Sequence, residues 1–272
     1  MLFNFDSIPL NVRCYQTSKG RFQSFPLDDC FFGAPQDKLY GRMPLESLPA
    51  RPFGFHFYLG ANQLELFESF ARSGHRDTTK SLHIGNSCYN HGNGRDYSRI
   101  TEALTRHEFP CLESLELGVW QLFSNSDFVY GNVGRIDDLA KAAPNLRKLY
   151  IYGNCELSHP LFLRDLEILH VVVDSTSGIN GGSLDSRTVN NLLSSNFPRL
   201  KEFYVDLGME DENTCYSLPE SIAVSDSYPD LNYFELVGTF RLGDRQRLED
   251  SPLFRNKSVT IHLDEMAVKE GQ

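Results

Sequence analysis

The sequence has no apolar run approaching the roughly 18 to 20 residues of a membrane span, so no bilayer-crossing helix is expected. Its six cysteines (Cys14, Cys30, Cys88, Cys111, Cys155, Cys215) form no Cys-x-x-Cys pair and show no metal-ligand spacing. Reduced, structural thiols are expected, with Cys111 acting as a small apolar residue beside Leu112. No nucleophile elbow, P-loop, dinucleotide fingerprint or His-Glu-x-x-His motif is present. Positive charge is also short. Asp and Glu number 36 against 26 Lys and Arg, a net charge of −10, the opposite of what a nucleic-acid surface needs. The first residues carry Asp6 but no basic segment and no long apolar stretch, so they do not resemble a secretory signal. A cytoplasmic location is expected.

What is present is a phrase written five times: a turn residue, a leucine, two variable residues, an apolar residue, one variable residue and another apolar residue. It occurs at Pro110–Gly118, Pro144–Asn154, Leu166–Val171, Pro198–Val205 and Pro229–Leu236. The register extends upstream to Leu82–Asn86 and Phe57–Gly60, and downstream to Val259–Leu263. Such a repeat is the consensus of a leucine-rich repeat, and internal periodicity fixes architecture before local propensity does. Apolar residues alternate along each strand, so one set points into the array and the other faces out along a parallel sheet. The prolines suit the corner entering each strand, where no amide is needed for the ladder.

The predicted architecture is α/β: a solenoid of about seven or eight irregular repeats. A parallel sheet would line its concave face, and helices or turns its convex face. Residues 51–263 form the array, residues 1–50 an N-terminal cap, and residues 264–272 a frayed charged tail. Helices are predicted within Tyr97–Phe109 (stripe Ile100, Leu104, His107), Asp137–Ala143 and Ser186–Phe197, the last capped by Asp185. The short spacing between Leu149 and Leu169 has room only for a turn. Ser126–Gly208 resembles an uncharacterised bacterial leucine-rich-repeat family. The likeness lies in the Asp137–Ala143 helix running into Pro144-Asn145-Leu146, the short repeat at Leu166, and Ser194–Pro198 leading into Leu200. Members resemble the ribonuclease-inhibitor type of array, and the resemblance brings no catalytic motif. The chain departs from it in its long N-terminal segment and in Phe203 and Phe234.

No cofactor, metal or catalytic residue is expected. The glycine-containing loops His91–Asp96 and Gly178–Gly182 read as plain turns, and Glu210-Asp211-Glu212 as a solvated loop. The outward strand positions are more informative. In successive copies they hold Tyr58, His83, Glu116, Tyr150, His170, Tyr204, Glu235 and Thr260, flanked by Lys148, Tyr152, Glu202, Asp206 and Tyr233. Trp120, the single tryptophan, is placed just past a strand end. Tyrosines among carboxylates compose a good binding surface, because Tyr offers large contact area at low entropic cost. The candidate partner-binding set is therefore His83, Glu116, Trp120, Tyr150, Tyr152, His170, Glu202, Tyr204, Asp206, Tyr233 and Glu235. The expectation is a non-enzymatic, protein-binding scaffold, monomeric when unbound, that engages neither nucleic acid nor membrane. Its most specific form is a bacterial immunity or inhibitor protein covering a basic toxin or enzyme. The alternatives are an adaptor binding through its convex helices, or an enzyme with a site in the N-terminal segment.

Overall fold

The computed structural model describes residues 30–32, 54–58, 64–85, 96–123, 126–173, 184–207, 215–224, 228–252, 254 and 264–266. In chain order the first elements are β1 (Cys30–Phe32), β2 (Gly54–Tyr58), α1 (Leu64–Arg72), β3 (Ser81–Gly85) and α2 (Ser98–Thr105). Next come β4 (Ser114–Phe123), β5 (Ser126–Tyr130), β6 (Asn132–Arg135), α3 (Leu139–Ala142), β7 (Lys148–Tyr152) and β8 (Asn154–Glu156). The chain continues with β9 (Ile168–Val172), α4 (Ser186–Leu193), β10 (Glu202–Asp206) and α5 (Glu220–Val224). It ends with β11 (Tyr233–Val237), β12 (Thr239–Arg241), α6 (Asp244–Glu249) and β13 (Asp264–Met266).

The fold is mixed α/β, built on one large sheet in the order β1-β2-β3-β4-β7-β9-β10-β11, with β5 attached to β4. Every neighbouring pair along that order is parallel, and among the described residues only the β4–β5 pair is antiparallel. The register stacks identical phrase positions. Leu82, Leu115, Leu149, Leu169, Phe203 and Phe234 form one continuous row, and Ile84, Leu117, Ile151, Val171, Val205 and Leu236 a second. All twelve are buried at 0 or 1 % exposure, so the alternation read from sequence separates core from surface as expected. Phe203 and Phe234, which depart from leucine, stack face to face at 4.8 Å, and Phe254 meets Phe234 edge-on at 5.1 Å. Together they fill the C-terminal end of the core with aromatic area.

β4, β7, β9, β10 and β11 are entered through the same turn. The amides of Leu112, Leu146, Leu166, Leu200 and Leu231 donate to the carbonyls of Phe109, Ala143, Leu163, Phe197 and Tyr228, three residues earlier. Pro110, Pro144, Pro198 and Pro229 occupy the second position of these turns, which their fixed φ favours and where no amide is required. The residue after each turn leucine from Leu112 to Leu200, and Lys80 after Thr79 in the β3 copy, then accepts two amides from the next copy. The Lys80 carbonyl takes the amides of Glu113 and Ser114, Glu113 those of Arg147 and Lys148, Arg147 those of Glu167 and Ile168, and Glu167 those of Lys201 and Glu202.

Beyond the large sheet lie two separate two-stranded parallel sheets, β6 beside β8 and β12 beside β13. Gly153 joins β7 to β8 at φ 130°, where an added Cβ would lie 2.5 Å from the Gly131 carbonyl oxygen. Only glycine fits that approach. α1 packs on α2 and α2 on α3, so the helices follow one another as the strands do.

The predicted helices are present but short. α2 covers Ser98–Thr105 with Ile100 and Leu104 buried, and His107 falls beyond its end. α3 is a single turn. α4 begins at the expected cap, where the Asp185 carboxylate accepts the amides of Arg187 and Thr188, each at 2.9 Å. The Leu149–Leu169 interval holds β8 and turns but no helix.

Three readings need correction. Phe55, not Phe57, aligns with Leu82, so His56 rather than Tyr58 falls on the row of His83. β4 runs on to Phe123, which puts Trp120 inside a strand, opposite Val129 of β5, rather than past its end. Within the segment assigned as the cap, β1 pairs with β2, and within the segment assigned as the tail, β13 pairs with β12; neither pairing tests those assignments. Cys111, in the turn, is exposed instead of serving as an apolar filler. The Val259–Leu263 copy with Thr260, and the loops 86–95, 174–183 and 208–214, lie outside the described residues. Among the described residues no helix is long and apolar enough to cross a membrane.

Candidate binding face of the parallel sheet

Parallel pairing in strict register converts one outward position per strand into a row across the sheet. His83, Glu116, Tyr150, His170, Tyr204 and Glu235 are consecutive partners on β3, β4, β7, β9, β10 and β11. Tyr152, Val172 and Asp206 form a second outward row beside it, and Lys148, Ile168, Glu202 and Tyr233 a third. Of the eleven sequence-derived candidates, ten therefore share one face. Trp120 is placed by its backbone on the β4–β5 hairpin instead.

The middle of this face is aromatic. Tyr150 meets His170 edge-on with ring centres 5.1 Å apart, and His170 lies 5.5 Å from Tyr204. Tyr150 also stacks on Tyr152 at 6.4 Å. Tyr152 and Val172, only 7 and 8 % exposed, form a small apolar cluster against which Tyr150 and Tyr204 pack. Tyr152 thus props its neighbours and presents little surface of its own. Burial first, then the carboxylates of Glu202 and Glu116, push the Tyr150 phenol up to about 12. Burial raises Tyr152 further still. Both phenols remain protonated, and so remain hydrogen-bond donors, across the physiological range.

The two flanks of the aromatic row differ in charge. On the β3–β4 side, His83 and Glu116 are each 14 % exposed, with Nε2 and Oε1 3.5 Å apart. Burial drives His83 down to about 4, a pull that the Gly118 carbonyl, 3.3 Å from Nε2, partly opposes. Burial alone drives Glu116 up to about 8. At neutral pH this is a neutral imidazole beside a neutral acid. Glu116 therefore adds no negative charge to the face, contrary to the simple reading of its residue type. On the β10–β11 side the carboxyl groups are half-buried or open. Glu202 accepts from His170 Nε2 at 2.7 Å, and the Tyr233 hydroxyl donates to Glu235. Tyr233, 40 % exposed, is the most open aromatic of the face among the described residues.

Local backbone fixes the centre of this arrangement. Gly118 adopts φ 85° at the end of the in-register part of β4, and a Cβ there would lie 1.8 Å from the Tyr152 carbonyl oxygen. Glycine lets β4 approach β7 this closely before it diverges into the hairpin with β5. The same residue supplies the carbonyl that meets His83.

One feature of the molecule's edge escaped the residue-by-residue reading. At the position after the turn leucine, which follows Thr79 in the β3 copy, charge alternates from Lys80 to Lys201, and the β11 copy carries Asn232 there. Lys80 reaches Glu113 at 2.7 Å, and Glu167 is bridged by Arg147 on one side and by Lys201 at 2.9 Å on the other. The signal was available, because these residues follow aligned leucines and read Glu, Arg, Glu, Lys from Glu113 to Lys201. Among the described residues no group of three metal-ligating side chains comes together. Comparison of the chain with protein-family models, curated proteins and solved structures found no match.

Proposed function

We propose that this chain is a leucine-rich-repeat solenoid that acts as a non-catalytic binding scaffold and receives a protein partner on its outward sheet face. The observation that carries the reading is the in-register row from Tyr150 to Glu235, with its aromatic centre and acidic flank. Six copies of one phrase deliver their variable residue to one continuous platform, the arrangement by which stacked repeats make extended binding surfaces. Aromatic rings held by neighbours lose little entropy on contact, which favours them as anchors. Glu202, Asp206 and Glu235 bias the platform toward a basic partner, steering its approach as well as its grip. A bacterial inhibitor or immunity protein that covers a basic toxin or enzyme is the most specific form of this proposal. It is supported by the charge and by the resemblance of the repeats to ribonuclease-inhibitor-type arrays.

The adaptor alternative requires an apolar patch on the helices. Among the described residues the exposed large hydrophobics are Phe162, Tyr233 and Leu242, and none lies in a helix. The sheet face is therefore the better-supported surface. The test is capture from a lysate by the native chain and by a Tyr150→Ala/Tyr204→Ala variant that keeps the native melting profile. A protein retained by the native chain and lost by the variant is expected. Equal retention by both would move the interface off this face.

A further inference from the structure

We infer that the strand-entry edge of β7, β9 and β10 is a second docking surface, cationic in character, and that it receives a short acidic segment of a protein partner. Its residues flank the turn leucines, so the inference does not rest on the sheet face being a docking surface. The residues just before and just after a turn leucine lie at the mouth of the strand, outside the inward rows. In the β9 copy they are Asp165 and Glu167. The β10 copy places Arg199 and Lys201 there, and the β7 copy Asn145 and Arg147. Parallel pairing in register sets these positions side by side, with backbones about 4.8 Å apart. Each β9 carboxylate is therefore held by two cations. Asp165 meets Arg164 and Arg199, each at 2.9 Å, and Glu167 meets Lys201 at 2.9 Å and Arg147.

Two carboxylates against four cations leave these side chains two charges positive, in a chain whose net charge is −10. The Lys201 hydrogen bond, joined by that of Arg147, holds the Glu167 carboxyl below its ordinary value against the opposing pull of burial, so Glu167 counts as an anion at neutral pH. The layering matters as much as the count. Asp165 and Glu167 are only 17 and 20 % exposed, whereas Arg147 and Lys201 are 51 %, Arg199 65 % and Arg164 70 % exposed. The acids lie beneath and the cations outside, so an approaching molecule meets the positive layer first. Among the described residues the excess is confined to these copies. The balanced Lys80–Glu113 pair follows on one side, and the β11 copy carries Asp230 and Asn232 at the same positions on the other. Holding the stack together does not call for the surplus, since one cation satisfies an exposed carboxylate and such pairs contribute little. A guanidinium offers five donors in a planar fork that grips a carboxylate bidentately. Arg164 turns Nε and Nη2 to Asp165, and its Nη1 donors are additional to that pair. The size of the excess selects among anions. Nucleic acid carries a charge every 1.7 Å or so and is held by an extended basic stripe, which two surplus charges on an acidic chain do not supply. A few carboxylates close together in an otherwise uncharged segment match it.

The test uses the full-length chain and labelled Gly/Ser-flanked peptides bearing a cluster of glutamates or of glutamines, with a labelled short DNA duplex as the competing class. Binding is read by fluorescence anisotropy at low and moderate salt. The glutamate peptide is expected to bind saturably and to weaken with salt, and the glutamine peptide not to bind. Arg164→Gln/Arg199→Gln should weaken the glutamate peptide about tenfold, whereas Arg135→Gln, at an exposed arginine of β6, should leave it unchanged. Asp165→Asn should tighten it, because a carboxylate is removed from beneath the cations. Tyr150→Ala/Tyr204→Ala should bind the peptide as the native chain does. Equal binding of the two peptides, tighter binding of the duplex than of the glutamate peptide, or native affinity in a natively melting Arg164→Gln/Arg199→Gln chain would overturn the assignment. So would an Asp165→Asn chain that binds no more tightly than the native chain, which keeps the question decidable if the double variant does not fold. Loss of the peptide in a natively melting Tyr150→Ala/Tyr204→Ala chain would overturn it too, by placing the peptide on the sheet face.

Discussion

Glu116→Gln isolates the most unusual electrostatic feature of the molecule. In the folded chain the Glu116 carboxyl is held at about 8 against an ordinary 4.5, and His83 at about 4 against 6.5, both through burial. The signs oppose one another. A raised acid favours folding fully at low pH and loses that advantage as pH climbs from 4.5 to 8, because the unfolded chain ionises there and the folded chain does not. A depressed histidine favours folding fully above 6.5 and loses that advantage as pH falls toward 4. Each pH unit inside a window is worth about 1.4 kcal/mol. Between about pH 4.5 and 6.5 the two slopes cancel, giving a plateau. From 6.5 to 8 only the Glu116 slope remains, so stability falls by about 2 kcal/mol. Glutamine keeps the shape and removes the titration. Urea unfolding of both chains across this range should show the variant rising with pH between 4.5 and 6.5, where the native chain is flat. Above 6.5 the variant should hold steady where the native chain declines. Parallel curves over the whole range would refute the idea that Glu116 is kept neutral by its surroundings.

Other perturbations test other levels of the structure. Leu149→Ala removes a fully buried side chain from the middle of an inward row and should cost about 2 to 5 kcal/mol in a circular-dichroism melt. A variant melting like the native chain would overturn the register. Gly118→Ala should be more damaging than its single added methyl implies, since the Cβ would meet the Tyr152 carbonyl at 1.8 Å in a left-handed backbone. Loss of soluble expression or a large drop in melting temperature is the expected result. Asp185→Ala should cost about 1 kcal/mol by leaving the Arg187 and Thr188 amides uncapped, and Asp185→Asn should recover most of it. Glu167→Lys places like charge between Arg147 and Lys201. It should destabilise by about 1 kcal/mol at low salt and less at 1 M salt, whereas a salt-independent loss would point to packing instead.

How much of this was legible in the sequence follows from what a repeat can encode. The phrase specifies a turn leucine and two inward residues per copy, and six copies align their inward pairs without error from Leu82 to Leu236. The N-cap at Asp185 was legible because a cap needs only one residue type at one offset. The β2 register was not. Gly54-Phe55-His56-Phe57-Tyr58-Leu59 alternates aromatics and polar residues in a way that satisfies two registers two residues apart, and only pairing with Leu82 decides between them. The β4–β5 hairpin was hidden for a related reason: Val119 to Phe123 continues a strand after the phrase has ended, and an antiparallel partner lies outside any period of the array. The face shows the deeper limit. Its composition could be read position by position, but whether a residue there contacts solvent depends on its lateral neighbours, which belong to other copies. Tyr152 is nearly covered because Tyr150, Val172 and Tyr204 surround it, and Tyr233 stays open toward the end of the row. Glu116 loses its charge in the buried flank while Glu202 engages an imidazole in the open one. Two glutamates of one outward face, in different rows, therefore differ in chemistry with their place along the sheet. That gradient makes the β10–β11 end the charged and accessible end of the face, and a cationic partner is accordingly expected to dock there and not over His83.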